Sequence, residues 1–342
     1  MKKLLAVLFV LMMVASLVLA GCEESKDAGA AAPAAEAAAE WKPTQPITIM
    51  NHVAAGGAMD LYSRKWVELA AKYTDATFVV DNNDGASGLT AGEWVLGQEA
   101  DGYTVFALAP TYIDAVIQSE LDCAEYVDGF TYIYNLMADP YCVLVPTAPE
   151  GGNPTFDTFA ELTEWAKSNP LTLSEPNYGA KYIDAVQVFN EVGVDFQAIS
   201  YGGAKKNFAA LLGGQAIASV GNPGDTSKYA VKALVVGAPE RLKGMPDVPT
   251  YEELGYSSKL DGIWMWRGYA VKTGTPEGMI KWFQELADQI SADPEWIDYM
   301  EGQLIAVRTD HTEDFTKIVE DEVTSTIEVL KSVDQISADY KR

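Results

Sequence analysis

A short apolar run, a loop of very small residues and a helical pattern follow one another twice between Ile47 and Gly92, and this repeat constrains the fold most. In the first unit Ile47–Met50 reads as a strand. Ala54, Ala55, Gly56 and Gly57 come next, and Tyr62, Trp66, Leu69 and Tyr73 then fall on one helical face. In the second unit Phe78–Val80 is the strand, Asp81–Gly88 the polar loop, and an amphipathic segment starts at Leu89. Side chains this small leave backbone N–H groups uncovered where a helix begins. Those donors and the helix dipole favour an anion there. One such loop is a tight turn as readily as a site; two in successive units point to a site.

The alternation continues. Thr104–Ala109 is a continuous apolar run, as in a buried parallel strand, and Pro110-Thr111-Tyr112 follows at the end where open α/β sheets place ligands. Tyr141–Val145 is a further strand. Thr158 and Glu161 form a capping box for a helix that runs to Asn169. Leu171–Leu173, Ala198–Ser200, Ile217–Val220 and Leu234–Val236 read as strands, and Ala204–Leu212 as a helix. Trp264–Val271 is an aromatic strand, Pro276 opens a helix, and Phe315, Ile318, Val319 and Val323 share the face of another. The pattern is α/β in two bodies.

Lys2 and Lys3 precede an apolar run from Leu4 to Ala20, the charged and hydrophobic regions of a signal peptide. The run ends Leu19-Ala20-Gly21-Cys22, which resembles a bacterial lipobox. That resemblance implies removal of residues 1–21 and lipidation of Cys22; an uncleaved membrane anchor is the alternative. Residues 22–40 are polar and then alanine-rich, with no apolar stripe to bury, and read as a flexible tether.

The formal net charge is -25; without Lys2 and Lys3, 22 basic residues face 49 acidic ones, a net of -27. Such a surface argues against nucleic acid and anionic lipid as partners. It also repels an anionic ligand at a distance, so local donors must prevail at contact, which screening over about 8 Å at physiological salt permits.

The signs of catalysis are missing from the sequence. His52 and His311 are the only histidines and lie far apart. Gly85-Ala-Ser87-Gly88 lacks the spacing of a nucleophile elbow. No Cys-x-x-Cys or His-x-x-x-His offers a zinc site, and Asp81-Asn-Asn-Asp-Gly85 lacks the glycine position and closing Glu of a calcium loop. Neither a metal nor a cofactor is expected. Cys123 and Cys142 remain in the mature body, either bridged or as two buried thiols; outside the cytoplasm a bridge is permitted.

An ordered set of short matches runs through the chain: Trp41-Lys-Pro43, Ala54-Ala-Gly-Gly57, Asp60, Arg64, Asn83, Gly85-Ala86, Gly88 and Asp101-Gly-Tyr-Thr104, then Leu211-Leu-Gly-Gly-Gln215, Pro246-Asp-Val-Pro-Thr250 and Trp266-Arg-Gly268 before Gly274-Thr-Pro276. In this it resembles the substrate-binding proteins of tripartite tricarboxylate transporters, the Bug family, over nearly all of residues 41–330. The resemblance implies a periplasmic-binding-protein-like (type II) fold, with a ligand cleft between two Rossmann-like lobes. Lobe 1 would comprise residues 41–145 and 248–342, and lobe 2 residues 146–247. The implied function is a lipid-anchored, extracytoplasmic, monomeric receptor that delivers a small organic carboxylate to a two-subunit membrane permease. A receptor for ligand sensing is the alternative. Three departures touch the expected cleft: Asn51 and His52 before the Ala-Ala-Gly-Gly, Asp84 before Gly85, and the loop Glu175-Pro-Asn-Tyr-Gly-Ala-Lys181.

Carried over residue by residue, the first-lobe contacts are Ala54, Ala55, Gly56, Gly57, Met59, Ser87, Gly88 and Thr111. The second-lobe contacts are Tyr178, Gly179, Ala180, Lys181, Tyr201, Gly202, Gly203 and Asn222. Lys181 either meets a second carboxylate or is a solvated lysine at a helix start. His52 either donates a hydrogen bond to the ligand or packs against the sheet edge. Trp266 either stacks on the ligand or belongs to the core. Asp60 is expected to cap the first helix and pair with Arg64.

Overall fold

Strand β1 (Ile47–Asn51) leads through the alanine–glycine loop into helix α1 (Ala58–Ala70), and β2 (Phe78–Asn82) leads through a short 3-10 turn at Gly85–Gly88 into α2 (Leu89–Leu96). The structure is a computed structural model and describes residues 41–148, 152–174, 179–201, 204–262 and 264–342. Strand β3 (Thr104–Leu108) feeds α3 (Pro110–Gln118), whose opening proline occupies a position that needs no N–H. A single turn, α4 (Cys123–Tyr126), precedes the long strand β4 (Phe130–Pro140). The second body runs β5 (Cys142–Pro146), α5 (Phe159–Ala166), β6 (Leu171–Ser174), α6 (Ala180–Glu191), β7 (Phe196–Ile199), α7 (Ala204–Leu212), β8 (Ser219–Gly221), α8 (Asp225–Lys228) and β9 (Val231–Val236). The chain closes with β10 (Trp264–Lys272), α9 (Glu277–Ser291), α10 (Pro294–Glu301), β11 (Ala306–His311) and α11 (Thr312–Ser332).

The first sheet has the order β11-β4-β10-β3-β1-β2. Strands β1, β2 and β3 are parallel, whereas β10 runs antiparallel to β3 and β4. Both faces are covered, as a parallel sheet requires. On one face Ile47 and Ile49 meet Trp66, Leu69, Phe283 and Trp296; Trp66 stacks on Phe283 with ring centroids 5.1 Å apart. On the other, Phe106, Tyr112 and Val116 meet Trp266, Phe315 and Val323. Truncating Trp66 to Ala would cost about 3–5 kcal/mol by the usual scale for large core residues.

The second lobe has the three-stranded order β8-β5-β9, extended by the parallel pair β6-β7 through a bridge between Leu173 and Ala218. Its core gathers Val143, Val145, Phe159, Leu173, Phe189, Val220 and Val235. Helix α11 of the first lobe packs on α3 and β4 and also on α6 of the second. The capping box is present: the Glu161 N–H donates to Thr158 Oγ1 at 3.2 Å and the Asp157 N–H to Glu161 Oε2 at 2.7 Å. That helix ends earlier than the sequence suggested, at Ala166.

Two expectations are corrected. The lobes change hands at Tyr141, between β4 and β5, and again just before β10, rather than at Val145 and Val248. Cys142–Val145 forms the central strand of the second sheet, and Tyr251 and Leu260 bury in the second core, so residues 248–262 do not return to the first. Cys123 and Cys142 are free, buried thiols in separate clusters; the Cys123 sulfur lies 3.2 Å from Tyr340 Oη instead. Among the described residues no helix is long and apolar enough to cross a membrane. The signal segment, Cys22 and the tether fall outside the described residues.

Candidate functional site

The ends of β1, β2 and β3 come level, and their loops are tied together around His52. The Asn83 N–H donates to the Asn51 carbonyl at 2.9 Å and Asn82 Nδ2 to the Val53 carbonyl at 3.0 Å. His52 is 4 % exposed; its Nδ1 is 3.0 Å from the Ala107 carbonyl and its Nε2 3.0 Å from Thr111 Oγ1. A carbonyl only accepts, so Nδ1 carries the proton, and in the neutral ring Nε2 then accepts from the Thr111 hydroxyl. Burial lowers the His52 pKa from 6.5 to about 4, the Arg267 charge adds to the depression, and the Ala107 hydrogen bond opposes it. Gly88 completes the corner: a Cβ there would lie 2.8 Å from that of His52. Thus His52, Gly88 and Thr111 are brought together, with His52 as a buried neutral support rather than a donor aimed at ligand.

The alanine–glycine loop is less bare than its composition suggests. The Gly56 N–H donates to Asp60 Oδ2 at 2.8 Å and the Gly57 N–H to the Ala54 carbonyl at 2.9 Å. Asp60 also pairs with Arg64 at 2.9 Å; burial pushes its carboxyl up, but these partners outweigh burial and leave it below the ordinary value. The donors left over are those of the first turn of α1, at Ala58 and Met59, which an α-helix cannot satisfy internally. In the neighbouring loop Ala86 and Ser87 both have positive φ, 50° and 57°. Left-handed backbone costs roughly 1–2 kcal/mol per non-glycine residue, so this turn is held against its own preference.

The second lobe offers the start of α6. Gly179 is its N-cap with no side-chain cap, and Ala180 and Lys181 form the first turn. Asp114 of α3 takes a hydrogen bond from the Ala180 N–H, so that amide spans the two lobes. Lys181 Nζ lies 3.8 Å from Asp225 Oδ2, a loose pair, and Asp225 also accepts from the Asn222 N–H at 2.9 Å. The Tyr201 N–H is occupied by Asn207 Oδ1 at 2.9 Å. Tyr178, Gly202 and Gly203 lie outside the described residues.

Beneath these loops sits a group that the sequence reading passed over. Arg267 Nη1 donates to Asp139 Oδ2 at 3.2 Å, and the guanidinium lies 5.3 Å from the centre of the Tyr62 ring. Both side chains of the pair are about nine-tenths buried, 11 % and 9 % exposed. Burial pushes the Asp139 carboxyl above its ordinary value, opposed by Arg267, Lys181 and the Asn222 carboxamide beside it. Side chains alternate along a strand. Arg267 therefore faces Tyr62, while Trp266 faces the opposite core, fully buried and edge-on to Phe315 at 5.2 Å. Stacking of Trp266 on a ligand is thereby corrected: it is core, and its rim borders a cavity of about 680 Å³ beside α6 and α11, away from the first-lobe loops.

Behind the site α3 and α11 bring two acids together. Asp114 Oδ1 and Glu322 Oε1 each lie 3.3 Å from Thr326 Oγ1. Burial and the neighbouring Glu322 raise the Asp114 carboxyl well above its usual range, and burial raises Glu322 to about 7. Among the described residues no group of three His, Cys, Asp or Glu side chains is placed to hold a metal ion.

Comparison with known proteins agrees with this fold. Residues 62–334 match the family model described as the tripartite tricarboxylate transporter family receptor, TctC. A protein of Cupriavidus necator, the UPF0065 protein in the gbd 5′ region, is 27% identical over 233 residues, 66% of this chain and 69% of its own. Protein BugT of Bordetella pertussis is 25% identical over 248 residues, 69% and 73% of the two chains. Among solved structures, a TctC solute-binding protein from Polaromonas superposes with a TM-score of 0.72 at 25% identity, covering 85% of this chain and 99% of that one. MatC of Rhodopseudomonas palustris, solved with bound malate, gives 0.64 at 20% identity over 84% and 100%. With the family model spanning most of its length, the chain belongs to the tripartite tricarboxylate transporter receptor family, the solute-binding proteins that include the Bug proteins.

Proposed function

We propose that this protein captures a small organic carboxylate in the cleft between its lobes and presents it to a two-subunit membrane permease. It does so outside the cytoplasm, held at the membrane through lipid on Cys22. The observation that carries the reading is the arrangement of donors. First-turn amides of α1, at Ala58 and Met59, and of α6, at Lys181, belong to different lobes, and an arginine lies beneath the first-lobe loops. Helix starts of this kind favour carboxylate. Hydrogen bonds to a charged group contribute about 1.5–3 kcal/mol each, so about four suffice for micromolar affinity. A net charge of -27 after loss of Lys2 and Lys3 is no obstacle at these distances, because fixed donors act at contact while the distant acids are screened. The malate in MatC, and the adipate in another fold relative from Rhodopseudomonas palustris, support this ligand class.

The two lobes supply donors to one ligand, so ligand favours the closed form by its differential affinity. Calorimetric titration with mono-, di- and tricarboxylates in carboxylate-free buffer tests the reading. Saturable binding of at least one acid is expected; no heat and no thermal shift with any of them would overturn it.

A further inference from the structure

The Arg267–Asp139 pair bridges the neighbouring strands β10 and β4, but that contact uses only part of the guanidinium. Gly268 of β10 lies opposite Leu108, the last residue of β3, so Arg267 sits one step beyond the end of that strand. In open α/β sheets that is where ligands bind. The guanidinium reaches back over Tyr62, which is one helical turn, ~5.4 Å, below Ala58 on α1. Arg267 and the free amides of the α1 first turn therefore lie at the same end of the first sheet.

Its bonding is incomplete. Nη1 reaches Asp139, at 3.2 Å, and the Met137 sulfur, at 3.7 Å; the guanidinium makes no other hydrogen bond to the described residues. A guanidinium has five N–H donors in a rigid fork suited to bidentate carboxylate binding. Asp139 anchors one corner and leaves the rest of that fork unused. Alternative acceptors nearby do not serve: the His52 ring has both nitrogens occupied, by the Ala107 carbonyl and the Thr111 hydroxyl. Without Asp139, a buried arginine would be an uncompensated charge; with it, the pair is neutral and ready for one more anion.

We infer that Arg267, positioned by Asp139, is the specificity-determining residue of the cleft: it takes a second carboxylate of the ligand, so that the receptor selects dicarboxylates over monocarboxylates of the same chain length. This rests on the carboxylate-binding reading above. The first carboxylate stays with the backbone amides at the helix starts. The second, at the other end of the ligand, meets the free edge of the guanidinium. A monocarboxylate would place a methyl group against a desolvated cation and leave its donors unmet, a penalty that gives polar sites their strongest discrimination.

The test compares succinate, glutarate and adipate with butyrate, valerate and caproate by isothermal titration. Wild-type protein is expected to bind at least one diacid more than thirtyfold tighter than the monoacid of equal length. Arg267→Gln is expected to weaken that diacid more than thirtyfold and to shift the monoacid by less than threefold. Because Arg267→Gln strands the buried Asp139, the double variant Arg267→Gln, Asp139→Asn serves as the folded control, its melting curve checked alongside. It is expected to show the same lost preference. A diacid preference retained in either folded variant overturns the inference, as does a wild-type protein that binds monoacids equally well. Failure of wild type to bind any carboxylate would instead overturn the broader reading.

Discussion

His52 and Thr111 are joined by a hydrogen bond of 3.0 Å that fixes both partners: the imidazole is neutral with its proton on Nδ1, and the Thr111 hydroxyl is a donor to Nε2. Thr111 thus has only its main-chain N–H left to offer a carboxylate. The contact also locks the β1 loop to the start of α3. Thr111→Val keeps the shape and removes the donor, leaving a buried ring nitrogen unmet. A cost of about 1–3 kcal/mol is expected in urea denaturation, with Thr111→Ser near wild type.

Stability should fall in mild acid because of His52. Its folded pKa, about 4, lies below the unfolded 6.5, so as pH falls the unfolded chain takes up the proton first. The contribution is fully present above about pH 6.5 and is lost between there and about pH 4, roughly 3 kcal/mol in all. Urea midpoints of wild type and His52→Gln between pH 7.5 and 4 check this. The wild-type curve should fall more steeply over that window, and parallel curves would count against a buried neutral ring.

Glu322 acts in the opposite sense. Its carboxyl is raised from 4.5 to about 7, so the folded state holds the proton more tightly than the unfolded one. Its favourable contribution is present below about pH 4.5 and is lost as pH rises to about 7. Glu322→Gln should be more stable than wild type at pH 8, by about 1–2 kcal/mol after discounting for its partial exposure, with the gap closing near pH 4.5. Thermal melts across that range measure it.

Gly88 tests how tightly the two first-lobe loops are joined. Its φ is +99° and an added Cβ would lie 2.8 Å from His52 Cβ, a backbone-anchored atom that cannot swing aside. Gly88→Ala should cost about 2–4 kcal/mol from left-handed strain and overpacking together. Carboxylate affinity should drop in the same variant, since His52 and the loop before α1 must move. Unchanged melting and affinity would show that the corner is looser than its geometry.

Much of this was legible in residues whose spacing carries a physical rule. Continuous apolar runs marked β3 and β5, the Thr158–Glu161 box marked the start of α5, and Ala204–Leu212 was bounded correctly. Strand β4 was missed because Asn135, Asp139 and Pro140 break its apolar run; they are tolerated since Asn135 bonds Asp310 and Asp139 bonds Arg267. Pro146 does end β5; the lobe crossing was misplaced because an apolar run does not tell which sheet it joins, and β5 pairs with β8 and β9 of the second lobe. Bareness of the Gly56 and Gly57 amides was inferred from small side chains, and composition cannot show that Asp60 and the Ala54 carbonyl occupy them. Arg267 did leave a signal. It is a lone cation in the otherwise apolar run Trp264–Val271, next to Trp266, and strand alternation puts it on the other face.

The central claim is that main-chain amides from two lobes grip one carboxylate, and hydrogen–deuterium exchange read by peptide mass spectrometry tests it most directly. On saturation with the tightest-binding acid, peptides covering Ala54–Met59 and Gly179–Lys181 should both gain protection. Saturable binding with protection in neither peptide, or in only one, would contradict it.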